Sequence, residues 1–153
     1  MGLARIRTTM KKLLIATLLL ASSSSAFARD DVNDYSVKEA MEIPKVSNAI
    51  GGGVEFYFGN QPHAKVLTKL GQFQSNKKTS AFGKTDEAAC QWAFASAMKS
   101  LRKRAIKEGG NAVINIKSNY KGTLTSSDTA FKCGAGNVIA GVALIGDVVK
   151  LAR

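Results

Sequence analysis

The amino-acid sequence predicts an α+β domain in which one main helix packs on an antiparallel sheet of about four to five strands, with one disulfide. Three observations support this prediction: a long amphipathic stretch in mid-chain, short alternating segments on both sides of it, and only two cysteines. The length of 153 residues is typical of a single domain. We expect a signal peptide over 1–28, a partly flexible arm over 29–53 and the α+β domain over 54–153.

Residues 1–28 have the parts of a secretory signal peptide. A basic head precedes a short apolar core from Leu13 to Ala21, and the segment ends in the processing pattern Ala26-Phe27-Ala28. The apolar core is well short of the roughly 20 residues needed to cross a bilayer. We therefore predict cleavage between Ala28 and Arg29, export to the periplasm and a mature chain without a transmembrane segment.

Two segments before the main helix carry local structure signals. In the arm, Ser36 caps two predicted helical turns that Pro44 ends. The alternating segment 54–58 and the extended segment 64–74 flank a turn cluster, so we interpret them as a hairpin with a bulge at Gly71. A polar connector over 75–84 then leads to the main helix.

The main helix begins with Thr85 or Asp86 as its cap and ends at Gly109 or Gly110. Its apolar positions recur at helical spacing and form one stripe that should face the sheet. The members of this stripe are Cys90, Phe94, Ala97, Leu101 and Ala105. Three further strands are predicted after the helix, over 112–120, 129–133 and 138–149.

The two cysteines, Cys90 and Cys133, are most simply a structural disulfide in an exported chain. Cys133 should face the helix layer, where Cys90 lies. The alternative is a redox-active or metal-binding thiol pair, but the chain has no C-x-x-C and its only histidine, His63, lies in a predicted turn. We expect no cofactor and no metal site.

The chain stays basic after the predicted processing. Residues 1–28 hold four of the 22 Lys and Arg and none of the 11 acidic residues, which leaves a net charge of +7. Such a charge favours anionic envelope components, or an envelope protein, as partners. The basic residues look spread along the chain, and Arg102-Lys103-Arg104 is the only tight triplet.

A candidate contact surface lies on the face of the helix opposite the apolar stripe. Its members are Trp92, Lys99, Arg102 and Lys103. An exposed tryptophan beside lysines is typical of a binding surface. The alternative is that the N-terminal arm folds across this face and covers Trp92 with Val37, Met41 or Ile43.

No catalytic constellation is evident in the sequence, and we assign no catalytic residue. An enzyme would have to use Cys90, Cys133 or His63, and no spacing selects a nucleophile and base among them. The glycines at 134–136 do not complete G-x-G-x-x-G and precede a predicted strand. A non-enzymatic binding or envelope-maintenance module is the leading expectation, with an unrecognised periplasmic enzyme as the alternative.

Several motifs resemble a family of short secreted proteobacterial proteins. They are Phe56 to Gly59, Glu87 to Phe94, Gly109 to Lys121, Cys133 to Gly136 and Gly141 to Lys150. Members often carry the label "excinuclease ATPase subunit", so the resemblance implies nucleic-acid binding as a further alternative. The chain has no G-x-x-x-x-G-K-[ST] motif, however, and export would separate it from genomic DNA, so no specific nucleic acid is expected.

A looser resemblance concerns the helix, the motif Gly109 to Val113 and the cysteine placement. These are similar to the family of the outer-membrane lipoprotein that senses envelope stress for the Rcs phosphorelay. The resemblance is partial, and neither the anchoring nor the signalling of that family is carried over to this chain. This chain has neither the lipid-anchoring cysteine nor the second disulfide of that family.

Overall fold

The computed structural model describes residues 29–153, so the predicted signal peptide lies outside the described residues. Three helices and seven strands follow one another in the described chain. They are β1 (Asp31–Ser36), α1 (Val37–Glu42), α2 (Pro44–Ile50), β2 (Glu55–Phe58), β3 (Val66–Ser80), α3 (Asp86–Lys107), β4 (Ala112–Tyr120), β5 (Thr123–Thr125), β6 (Ala130–Ala135) and β7 (Ile139–Leu151). The α+β class, with one long helix packed on a sheet, is confirmed.

All seven strands belong to one sheet, and β7 lies at its centre. One edge of β7 pairs with β3, while its other edge pairs first with β6 and then with β4, all antiparallel. β1 pairs with β6 and β5 with β4, also antiparallel, whereas β2 pairs with β4 in parallel. The sheet is therefore mixed and larger than the four to five antiparallel strands expected.

The hairpin predicted from 54–58 and 64–74 does not form. β2 lies parallel to β4, with Glu55 opposite Ala112, and β3 pairs along its length with β7. Phe58 is buried and its ring lies 6.2 Å from that of Phe94 on α3. The local turn signal favours a hairpin, but the pairing of a strand depends on tertiary contacts such as that of Phe58 with Phe94, which a local signal does not contain.

The polar connector expected over 75–84 is also different, because β3 continues to Ser80. Its last residues pair with the start of β7, where Ser80 lies opposite Ile139. As an edge strand, β3 can keep a polar composition while its backbone pairs on one side only. The predicted bulge at Gly71 is present as a register shift between Lys69 and Gly71.

Residues 29–53, expected to form a partly flexible arm, fold into β1, α1 and α2. Ser36 caps α1 as predicted, since its Oγ accepts a hydrogen bond from the Glu39 backbone N–H at 3.1 Å. Pro44 ends α1 and also begins α2, where proline is tolerated in the first turn. Val46 and Ile50 are buried in the core, so this segment is part of the domain.

α3 follows the sequence prediction closely. Thr85 is the cap, its Oγ1 accepting from the Ala88 N–H at 3.1 Å, and Gly109 takes the left-handed conformation (φ 79°) that ends the helix. Gly110 is needed for a different reason, because a Cβ there would lie 2.7 Å from a methyl carbon of Val148. Both ends of α3 are therefore set by residues read from the sequence.

The predicted disulfide between Cys90 and Cys133 is present and joins α3 to β6. Their Cα atoms are 5.8 Å apart, and both residues are fully buried, so Cys133 faces the helix layer as expected. Beside the bridge, the ring of Phe94 stacks on Phe131 at 4.3 Å. The core of the domain thus lies between α3 and the sheet.

Candidate functional site

The predicted contact surface is divided by the structure. Trp92, Lys99 and Lys103 are exposed on α3, and Trp92 keeps 36% of its surface accessible. Arg102 lies instead on the flank of α3 near the loop after α2, where its Nε donates to the Gly52 carbonyl at 2.5 Å. Arg102 therefore holds this loop, and three of the four predicted residues remain as an exposed group.

The N-terminal segment packs beside α3 without covering Trp92 completely. Val37, Met41 and Ile43, the residues expected to cover it, are partly buried and pack against the core. Ala95 and Met98 on α3 are buried as well. The third of its surface that Trp92 retains is large for a tryptophan and leaves its face of α3 available for a partner.

The other flank of α3 runs along β3. Thr79 Oγ1 donates to the Ala89 carbonyl at 3.2 Å near the start of α3, and Arg104 stacks over Phe73 at 4.2 Å near its end. The helix and the strand therefore run in opposite directions, side by side. Lys107 lies one turn beyond Arg104 on this flank, because residues three apart share a helix face.

These neighbouring segments hold most of the positive charge of the described chain. Residues 56–85 contain five lysines and no acidic residue, and residues 88–107 contain five Lys and Arg and no acidic residue. These ten cations are Lys65, Lys69, Lys77, Lys78, Lys84, Lys99, Arg102, Lys103, Arg104 and Lys107. We call the cations that lie on β3 and α3, other than Arg102, the basic edge. They are Lys69, Lys77, Lys78, Lys99, Lys103, Arg104 and Lys107.

The basic edge is not evident from the spacing of basic residues along the chain, which looks uniform. The signal that would have revealed it is the uninterrupted absence of acids between Glu55 and Asp86, and again between Glu87 and Glu108. Only the folded structure brings the two runs together. Glu108 pairs with Arg104 at 3.5 Å and marks the end of the acid-free run on α3.

The three acidic residues at the start of the domain, Asp30, Asp31 and Asp34, each have a cationic partner. Asp34 pairs with Lys132 at 2.9 Å and Asp31 with Arg29 at 2.8 Å. Asp30 accepts a hydrogen bond from the Tyr120 hydroxyl at 2.8 Å and also pairs with Lys121. A cation-binding role for these carboxylates therefore has no support in the structure.

The Asp30 contacts change the acidity of both partners. Hydrogen bonds from Lys121 and Tyr120 lower the pKa of Asp30. Burial, and secondly the hydrogen bond to Asp30, raise the pKa of Tyr120 to about 12. Tyr120 therefore stays protonated and serves as a donor that ties β4 to the start of the domain.

Arg29, the first residue after the predicted cleavage point, is built into the fold. Its guanidinium donates to both carboxylate oxygens of Asp86 at 2.7 and 2.9 Å, and Nε donates to Asn137 Oδ1 at 3.1 Å. These hydrogen bonds lower the pKa of Asp86. Residue 29 thus joins the first turn of α3 to the turn between β6 and β7.

The residues considered for an enzyme do not form a nucleophile and base pair. Cys90 and Cys133 are buried in their disulfide, whereas His63 is exposed in the loop after β2. The His63 ring packs edge-on against Tyr57 at 5.5 Å, and its Nδ1 lies 2.8 Å from the Ala64 carbonyl oxygen. Within residues 29–153, no group of three His, Cys, Asp or Glu side chains is placed to hold a metal ion.

A surface depression of about 580 Å³ lies at the end of α3, between the Gly109-Gly110-Asn111 turn and the end of β7. Asn111 has a structural role there: its Nδ2 donates to the Leu151 carbonyl at 3.1 Å, and its Oδ1 accepts from the Leu151 N–H at 2.8 Å. The side-chain amide of Asn111 thus makes with Leu151 the two hydrogen bonds that the backbone of a neighbouring strand would make. The depression contains no pair of groups suited to general acid and base chemistry.

No family model matches the chain, and no curated protein is significantly similar to it. Among residues 29–153, no helix combines the length and the apolar content required to traverse a bilayer. The fold and its surface define an α+β domain that carries one buried disulfide and one strongly basic edge.

Proposed function

We propose that this chain is an exported periplasmic module without catalytic activity, which binds an anionic component of the cell envelope through the basic edge. The proposal rests on one observation: two segments that contain basic but no acidic residues, one around β3 and one on α3, lie side by side in the folded domain. A concentrated field of one sign attracts anionic partners and speeds their association.

Other features support the location. The N-terminal 28 residues have the composition of a signal peptide, and a buried disulfide persists best in an oxidising compartment. Trp92, exposed among lysines, supplies the apolar contact that a purely electrostatic surface lacks. The two thiols are joined to each other, so the proposal gives them a stabilising role only.

Co-sedimentation of the processed protein with isolated cell envelopes tests this proposal. The double variant Lys99→Gln and Lys103→Gln removes two charges from the basic edge. The control, Lys38→Gln with Lys45→Gln, removes two charges from exposed positions of α1 and α2. At about 1 kcal/mol per lysine near an anionic surface, the first variant should bind roughly 30-fold more weakly, and the control should bind like the native protein.

The same experiment at graded salt separates a site from net charge. Affinity should fall with salt for the native protein and the control, with a smaller slope for the basic-edge variant. Equal weakening by both variants would show that only total charge matters and would refute the proposal. Equal affinity for duplex DNA and for envelopes would favour unspecific electrostatic binding instead.

A further inference from the structure

We infer that the partner of the basic edge is an extended acidic polypeptide segment, which adds to the sheet as a new strand beside β3. This inference rests on the proposed function and specifies how the partner is bound. β3 is an edge strand of 15 residues that pairs with β7 on one side only. Within residues 29–153, no strand pairs with its other side, which we call the free edge.

The hydrogen bonds at the end of β3 show which backbone groups face the free edge. The Ala81 N–H donates to the Val138 carbonyl at 2.7 Å, in register with the pair of Ser80 and Ile139. In an antiparallel ladder, bonded and non-bonded pairs alternate. The residues with N–H and C=O directed at the free edge are therefore Gln72, Gln74, Asn76, Lys78 and Ser80.

The free edge is long enough for strand addition. From Gln72 to Ser80 the register with β7 is unbroken, so these residues offer a regular ladder of donors and acceptors. At its end one acceptor is already occupied, since the Ser80 carbonyl accepts from Lys84 Nζ at 3.0 Å. Strand addition obtains its affinity from such main-chain hydrogen bonds and its specificity from the alternating side chains. β1, by comparison, has six residues and leads directly into α1.

The charges around the free edge select an acidic partner. Side chains of an added strand alternate between the two faces of the sheet. On the face covered by α3 they meet Lys77 and, at the end of the helix, Arg104, and on the open face they meet Lys69 and Lys78. Each face of the free edge therefore carries cations that can pair with an acidic side chain of the added strand. The nearest acids are already engaged, since Asp147 accepts from Gln72 and Glu108 pairs with Arg104.

The same lysines disfavour a second copy of this chain at the free edge. Two β3 strands in contact would bring three lysines from each copy together with no acidic residue between them. Like charges on paired strands are destabilising, and lysines are a common protection of natural edge strands. An acidic strand removes this repulsion, whereas an identical strand maximises it.

The probe is a fluorescently labelled peptide of about nine residues, which is within the usual range of strand lengths. In this peptide, glutamate alternates with valine and threonine. The decisive variant is Asn76→Pro, because proline removes an N–H that faces the free edge and leaves the ladder to β7 intact. Asn76→Ala is its matched control. Peptide binding by fluorescence anisotropy should weaken by about tenfold or more in Asn76→Pro and stay near the native value in Asn76→Ala.

Amide hydrogen exchange on the native protein supplies a second readout that does not depend on the folding of a variant. Peptide binding should slow exchange at Gln74, Asn76 and Lys78 by about tenfold or more, because these N–H groups become paired. A peptide of the same length with lysine in place of glutamate should neither bind nor protect them.

The outcomes separate this inference from the proposed function. Equal binding to Asn76→Pro and Asn76→Ala, with no protection of the β3 amides, would leave envelope binding in place and overturn strand addition. Protection of the same amides in a dimer without peptide would identify a second copy as the occupant and also overturn it. If the basic-edge variant and its control, Lys38→Gln with Lys45→Gln, lost envelope binding equally, the proposed function itself would be refuted.

Discussion

Arg104 stacks over the ring of Phe73, with its guanidinium carbon 4.2 Å from the ring centroid. This contact joins the end of α3 to β3 and sets the geometry of the basic edge. It also leaves Arg104 shared between Phe73 and the carboxylate of Glu108. The positive charge of α3 is thereby held close to the free edge of β3.

The contribution of this pair to stability is measurable. Arg104→Gln should lower the free energy of unfolding by about 0.5 to 1 kcal/mol, the usual value for an exposed cation–π pair. Lys103→Gln, at an exposed neighbouring position, should have little effect. Urea unfolding of both variants, combined with Phe73→Leu in a double-mutant cycle, gives the coupling. Strict additivity in the cycle would contradict a direct interaction.

The two buried serines of the sheet should respond in opposite ways to replacement by alanine. Ser75 Oγ is buried without a hydrogen-bond partner, whereas Ser118 Oγ accepts from the Lys132 N–H at 2.8 Å. Ser75→Ala should therefore raise the free energy of unfolding by about 1 kcal/mol. Ser118→Ala should lower it by about 1 to 3 kcal/mol, because the Lys132 N–H loses its acceptor.

Chemical denaturation of both variants provides the comparison. The comparison is informative because the two serines are almost equally buried, at 3% and 4% exposure. Removal of a buried hydroxyl alone would therefore change the free energy of unfolding in the same direction in both variants. Destabilisation by Ser75→Ala would indicate a hydrogen bond of that hydroxyl in solution.

Removal of the disulfide should reduce stability substantially. Cys90 and Cys133 are 43 residues apart, and the chain-entropy model assigns roughly 4 kcal/mol to a loop of this length. The double variant Cys90→Ala and Cys133→Ala should lose about this amount in guanidinium unfolding. A reductant should destabilise the native protein and leave the double variant unchanged. Free thiols in the native protein isolated without reductant would contradict a structural bridge.

Tyr120 should ionise late in an alkaline titration. Its pKa is raised to about 12, first by burial and then by the hydrogen bond to Asp30. Because the folded state favours the protonated phenol, this stabilisation is complete below the unfolded pKa of about 10 and is lost as the pH rises through about 12.

Asp30→Asn should lower the pKa of Tyr120 without restoring the ordinary value, since burial remains. Near-ultraviolet absorbance of tyrosinate follows the transition, and Tyr120→Phe identifies which part of the signal belongs to Tyr120. An unchanged titration in Asp30→Asn would show that the carboxylate contributes nothing.

Much of the fold could be predicted from the sequence where the signals are local. The cap at Thr85, the left-handed Gly109 and the apolar stripe predict α3, and the sequence pattern predicts the bounds of β4 over 112–120. Its alternation is interrupted at Asn115 (φ 52°), so that Val113 and Ile116 both face the core. Capping and hydrophobic period act within one or two turns, so they are legible without the rest of the chain. The pairing of two cysteines is equally simple because no third cysteine competes.

The partners of the strands could not be predicted in this way. β2 and β3 look like a hairpin locally, yet β2 joins β4 in parallel and β3 joins β7. Strand pairing depends on which faces become buried together, and this is settled between segments far apart in sequence. The candidate site shows the same limit: the sequence places Trp92, Lys99 and Lys103 on one helix, but it does not show that β3 lies beside that helix.

The α+β class, the limits of α3 and the pair of cysteines follow from the amino-acid sequence, because capping, periodicity and composition are local properties. That β3 is a long edge strand and that its lysines lie beside those of α3 is seen only in the folded domain. The physical reason is that charge fields and free strand edges arise from packing. Two basic runs become one surface only when burial of the residues between them brings α3 against the sheet.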